Sequence, residues 1–336
     1  MKQPEWFVRL IRKTWLAPVL LCVLAALHEG VYLCVTPPWQ GPDEPRHFEY
    51  VAQIAAGISP DEPAAIELQG RIIASMEAHD FWRYGYYIQD YDPANPPRVL
   101  DDIWPGYAHE THQPPLYYRL AGALIRASGA TEIDAQLAMV RLLSALLGVG
   151  VVLAAWGTAH TLWPGRPDLA LLIGLVVALL PMHAFMNAVA NNDNLASLLV
   201  AVVVWLSARS VRYGGRWPDV LGGLVAAVLA VTAKRTGMIA PAVWAMGLVV
   251  AHWERIAGLW SGRPGRRVLA AGALVLLALA GGALLFGDVA RRTLVSLWKG
   301  FLHLPPDVLD LLLDGSYERA LLDTPYPYYT RMVFES

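Results

Sequence analysis

The apolar run from Trp15 to Val35 is long enough to cross a bilayer as one helix, and its two ionisable residues, His28 and Glu29, fall in its second half. Further apolar segments recur at roughly 136–158, 168–190, 194–208, 217–233, 237–252 and 268–286. Together they predict an all-α polytopic membrane protein of about seven spans, the shorter ones tilted or offset. Residues 116–129, LYYRLAGALIRASG, behave differently. Their apolar positions fall at helical spacing but Arg119 and Arg126 interrupt them, as in an amphipathic helix lying on a surface.

Between the first and second spans lies a long segment, 37–134, rich in Trp, Tyr, Pro and His. Its patterns HFEYVAQIAAG and IELQGRIIASMEAH predict short amphipathic helices. Basic residues orient the whole chain. If 116–129 does not cross, the tail with Lys2, Arg9, Arg12 and Lys13 is cytoplasmic. So are the loop with Arg209, Arg212 and Arg216 and the loop with Arg255, Arg263, Arg266 and Arg267. A crossing would move both loops outside, against the usual bias. The expected division is therefore a cytoplasmic tail and first span (1–36), a helical extracytoplasmic loop (37–134), a six-span bundle (135–286) and an extracytoplasmic segment (287–336). The last ends at RMVFES with neither a cap nor a polar tail, as a truncated chain would.

Composition agrees with a membrane protein: 56% of the 336 residues are hydrophobic and only 16% charged. A net charge of −2 gives no reason to expect nucleic acid as a partner. Cys22 and Cys34 share the first span, about 18 Å apart along a helix, and cannot bond to each other.

Four groups of residues carry candidate chemistry. The stretch TPPWQGPDEPRHFEY leaves the first span and presents Asp43 and Glu44 among prolines, followed by His47. As a plain helix start, Glu44 would be the N-cap, Pro45 the first helical residue, and Asp43 would favour the helix dipole. In NNDN, Asn192 and Asp193 stand where one span ends and the next begins, and a helix cap explains them without further function. Lys234 and Arg235 end a span on the side where cations are normally depleted. Snorkelling explains them, but so does an anion at the interface, such as a lipid phosphate. HETHQPPLYYRL is not a zinc-protease motif, although His109, Glu110 and His112 leave room for a divalent cation; no metal ligand is assigned.

Taken in order, PDEPRH, HQPPLYYRLAGALI, VRLLSALLGVGVVL, LLPMHAFMNAVANNDNLASLL and AKRTG resemble the GT-C superfamily of membrane glycosyltransferases, in a bacterial branch of that group. The resemblance covers most of the chain and implies a GT-C-like bundle with a long loop after the first span. It also implies a polyprenyl-phosphate-sugar donor, a glycan or lipid acceptor, and transfer on the extracytoplasmic face of a bacterial inner membrane. The phosphate is already a good leaving group, so cations can replace a general acid, whereas the acceptor hydroxyl needs a base. Asp43 is expected to be that base, with Glu44 and His47 shaping its site. Lys234, Arg235, Asp193, Asn192 and His112 are expected on the substrate side. A carrier or flippase for lipid-linked sugars would share the cleft and the cations but not need the acid. Relatives in that group have more spans, in keeping with a truncated C-terminus.

Overall fold

The computed structural model describes residues 16–84, 92, 94–104 and 110–253. The expected span at 268–286, the segment 287–336, the N-terminal tail, His109 and the basic loop at 255–267 lie outside the described residues. Those that are described form helices and no strand.

Helix α1 (Leu16–Val35) shows how the bundle is built. Ala17, Leu21, Ala25 and Glu29, four residues apart, form one buried stripe. Val19, Val23, Leu27 and Val31 on its other faces are exposed. At 1.5 Å per residue the helix is about 30 Å long, matching a bilayer core. The stripe packs on α7 (Ile133–Leu162) and α8 (Pro167–Ala178), where Leu21 lies against the bare backbone of Gly174. Helix α10 (Asp193–Tyr213) packs on α7 from another side and contacts α11 (Trp217–Ala233) and α12 (Ile239–Ala251).

Among the described residues, α1, α7 and α10 are long and apolar enough to cross a membrane. The segment expected to cross at 168–190 is not one helix. It breaks into α8 and α9 (Pro181–Asn187), bent by 57°, and counts as a fourth span only if the pair is taken as one. Pro181 is the cause, because it has no N–H to continue the ladder and its ring collides with the preceding turn. The break leaves the Ala178 carbonyl free of the helix, and His28 of α1 donates to it from Nδ1 at 2.8 Å. An interior histidine thus satisfies a backbone group that lipid could not. The apolar helices α11 and α12, of 17 and 13 residues, are shorter than a full crossing.

The described residues between 37 and 132 form a helical cap. Its elements are α2 (Glu44–Ala56), α3 (Pro63–Ala78), the short α4 (Phe81–Tyr84) and α5 (Leu100–Ile103), and α6 (Leu116–Ser128). Its core holds Trp39, Phe48, Val51, Ile72, Met76, Leu100, Tyr117, Tyr118 and Ile125. The first turns of α7 supply Ile133, Leu137 and Val140 to the same core, so one continuous helix serves both cap and bundle. Helix α6 is amphipathic, as its pattern predicts, but Tyr117, Tyr118, Ala121 and Ile125 bury against the cap core and not in a lipid surface. Gly122 lets it approach the backbone of α2 closely.

Candidate functional site

The loop from Thr36 to Asp43 is held from beneath. Glu44, fully buried, takes Nε–H of Arg141 on Oε1 at 2.8 Å and Nη2–H on Oε2 at 2.6 Å. The Ala190 N–H adds a third bond to Oε1 at 2.9 Å. Two further guanidinium protons go to the carbonyls of Thr36 and Pro37, both at 2.9 Å. A paired, fully hydrogen-bonded charge of this kind is what burial requires. Glu44 is therefore a tie between the exit loop, α7 and the α9–α10 connection. Its carboxylate is saturated.

Asp43 has the opposite environment. It occupies the N-cap position of α2, with Glu44 the first helical residue, one position earlier than a cap at Glu44 with Pro45 first would place the start. Its backbone is left-handed, at φ 54°, and its side chain makes no capping hydrogen bond. A left-handed residue other than glycine costs about 1 kcal/mol or more, and Asp tolerates it better than most. The carboxylate is exposed. Capping thus does not explain this acid.

Around Glu110, on the 3₁₀ turn Glu110–His112, stand groups from four further segments: Asp43 of the exit loop, Tyr118 of α6, Asp193 at the start of α10 and Lys234 just past the end of α11. Lys234 Nζ pairs with Asp193 Oδ2 at 2.6 Å. Arg235 is exposed, has no acidic partner among the described residues, and donates from Nη2 to the His112 carbonyl at 3.0 Å. Glu110 feels the charges of Asp43, Asp193 and Lys234 together.

His47 is a buried residue, not a surface one. Its Nδ1 lies 2.9 Å from the Tyr118 hydroxyl, which donates to Glu110 Oε2 at 3.3 Å. With the phenol proton on Glu110, His47 must donate from Nδ1 to the phenol oxygen, which sets its tautomer. Burial, assisted by the charge of Lys234, pushes the imidazole down to about 3, so it is neutral at neutral pH. Burial raises the Tyr118 phenol, so it keeps its proton. Burial and then the neighbouring Asp43 charge raise Glu110 above the usual carboxylate range, while the Tyr118 bond and Lys234 pull it down.

The structure thus brings Asp43, His47, Asp193, Lys234 and Arg235 to one end of the bundle. It separates Glu44 and Asn192 from the surface. Asn192 is fully buried and ties the start of α10 to the Ala233 carbonyl at 3.5 Å. Asn191 supplies the turn bond expected of a cap, accepting the Asp193 N–H at 2.8 Å. The His112 ring is exposed and reaches the site only through its backbone carbonyl. No group of three His, Cys, Asp or Glu able to hold a metal occurs among the described residues. The trio His109, Glu110 and His112 includes one residue outside them.

Sequence reasoning missed Arg141 and Tyr118. Arg141 carried a signal, since an arginine inside an apolar segment demands a partner. Tyr118 lay in a segment read as a surface-lying amphipathic helix. Comparison of the chain with protein-family models, curated proteins and solved structures gives no match.

Proposed function

We propose that this chain is a membrane glycosyltransferase. It moves a sugar from a polyprenyl-phosphate donor to a hydroxyl of a glycan or lipid acceptor on the extracytoplasmic face. The observation that carries this is the contrast between Asp43 and Glu44. The second acid is locked beneath the loop, and the first is held out by it, exposed, strained and uncapped. Asp43 takes the proton of the acceptor hydroxyl as its oxygen attacks the anomeric carbon. The bond from that carbon to the phosphate oxygen breaks, and the polyprenyl phosphate leaves with the electron pair. Displacement inverts the anomeric centre. Lys234 and Arg235 stand where a leaving phosphate needs positive charge. A lipid tail in the bilayer and a phosphate at its surface would bring the reacting carbon to the level of the exit loop.

A carrier or flippase for lipid-linked sugars is favoured by one observation, the bent α8–α9 pair, because transporters bind substrates at broken helices. One experiment separates the two. Purified protein is incubated with a panel of polyprenyl-phosphate sugars and acceptor glycans, in micelles and in sealed vesicles. Release of free polyprenyl phosphate with a new glycoside is the expected result. Donor that crosses the vesicle membrane with its sugar intact would replace the enzyme with the carrier.

A further inference from the structure

Glu29 lies inside α1, 1% exposed, in a part of the chain where a lone carboxylate is expensive. It faces α9 and α7. His183 Nε2 stands 3.4 Å from its Oε1. A Cβ on Gly148 of α7 would collide with both the Glu29 carboxylate and the Asn187 side chain, so these two converge on one bare patch of backbone.

The hydrogen bonds fix the orientation of the Asn187 amide. Asn187 Nδ2 donates to the His183 carbonyl at 2.8 Å, and a carbonyl can only accept, so the amide orientation is fixed. The same Nδ2 lies 3.1 Å from His183 Nδ1. It also lies 3.5 Å from Nε2, so the amide sits against the ring face, while Nε2 is the ring nitrogen turned toward Glu29.

The other charged and titratable groups near this point are already engaged. His28 donates to the Ala178 carbonyl. Arg141, two turns along α7, is spent on Glu44 and two carbonyls. Three acceptor oxygens remain without a hydrogen-bond partner among the described residues: both oxygens of Glu29, and Oδ1 of Asn187. His183 Nε2, at 3.4 Å, is the ring nitrogen that faces Oε1. Three buried acceptor oxygens around one carboxylate call for a proton or a cation.

We propose that Glu29 and Asn187, oriented by His183, form a site for a small monovalent cation inside the bundle. The cation is either an alkali ion or a proton. An alkali ion would be held by the three oxygens. A proton would bond to Glu29 and be shared with Asn187 Oδ1. The site is separate from the Asp43 region and does not depend on sugar transfer.

The test uses the full chain in lipid nanodiscs. Thermal unfolding is followed in sodium, potassium and choline chloride at equal ionic strength. Infrared difference spectra between about pH 5 and pH 8 report protonated carboxyls. If the ion is an alkali cation, sodium or potassium raises the melting temperature over choline, and Glu29→Gln abolishes that shift. If it is a proton, a protonated-carboxyl band is present in the wild type and lost in Glu29→Gln. Should Glu29→Gln fail to fold, Asn187→Ala must weaken the alkali shift or move the carboxyl band. A wild-type protein with neither signal overturns the proposal. So does a signal that both variants leave unchanged.

Discussion

The floor and the rim of the exit loop are built from adjacent residues and obey opposite rules. On the floor, Glu44 and Arg141 are buried, and four guanidinium protons are bound to the carboxylate and two carbonyls. On the rim, Asp43 and Arg235 are exposed, and the one tight pair, Lys234 with Asp193, is partly open to water. A saturated floor is rigid and chemically silent. A rim with exposed charges is what the proposed transfer needs. On that proposal, the difference separates scaffold from chemistry within a single Asp-Glu dipeptide.

The largest effect is expected on the floor. Arg141→Met leaves the Glu44 carboxylate buried without its cation, which costs about 3–5 kcal/mol. Chemical or thermal denaturation would measure it. Adding Glu44→Gln to that variant should recover much of the loss, because the buried charge is gone. No recovery would mean that the floor acts by shape and not by charge.

On the rim, Lys234→Gln with Arg235→Gln should leave folding nearly intact, since the Lys234–Asp193 pair is partly exposed. Binding of a polyprenyl-phosphate sugar should weaken by about 3 kcal/mol, or roughly a hundredfold. Titration of donor into both proteins would show it, and equal affinities would reduce the two cations to membrane anchors.

His47 couples the two levels through pH. Its folded value of about 3 lies below its ordinary 6.5, so the unfolded chain accepts a proton that the folded one refuses. The stabilising contribution is complete above pH 6.5 and is lost as pH falls toward 3. By about pH 5 the loss is on the order of 2 kcal/mol. His47→Gln should flatten this part of the stability profile. Glu110, shifted upward, acts in the opposite sense, contributing at low pH and losing its contribution as pH rises, so the comparison with wild type must be made pH by pH.

Much of the fold was legible in period and composition. The first span, the cap helices α2 and α3, and the amphipathic character of α6 follow from patterns that backbone geometry imposes on any sequence. The break at 179–180 was equally visible as Pro181, but a hydropathy window averages over a proline that hydrogen bonding cannot ignore. The length of α7 was hidden for a different reason. Its first turns bury in the cap and not in lipid, so apolarity alone did not mark the helix start. Near the exit loop, charge type singled out Asp43 and Lys234, whereas Asp193 was explained equally by a helix cap. The roles within the Asp-Glu pair were not legible. They depend on Arg141, 97 residues away along the chain, and on a left-handed backbone at Asp43 that no local pattern announces.

The division between floor and rim is tested most directly by Asp43→Asn, assayed for donor binding and sugar transfer on the same preparation. Asn keeps the shape and tolerates the left-handed backbone, but it cannot accept the hydroxyl proton. Transfer is expected to fall about a hundredfold or more while donor binding and thermal stability stay at wild-type levels. Transfer at the wild-type rate would contradict the assignment of Asp43 as the base.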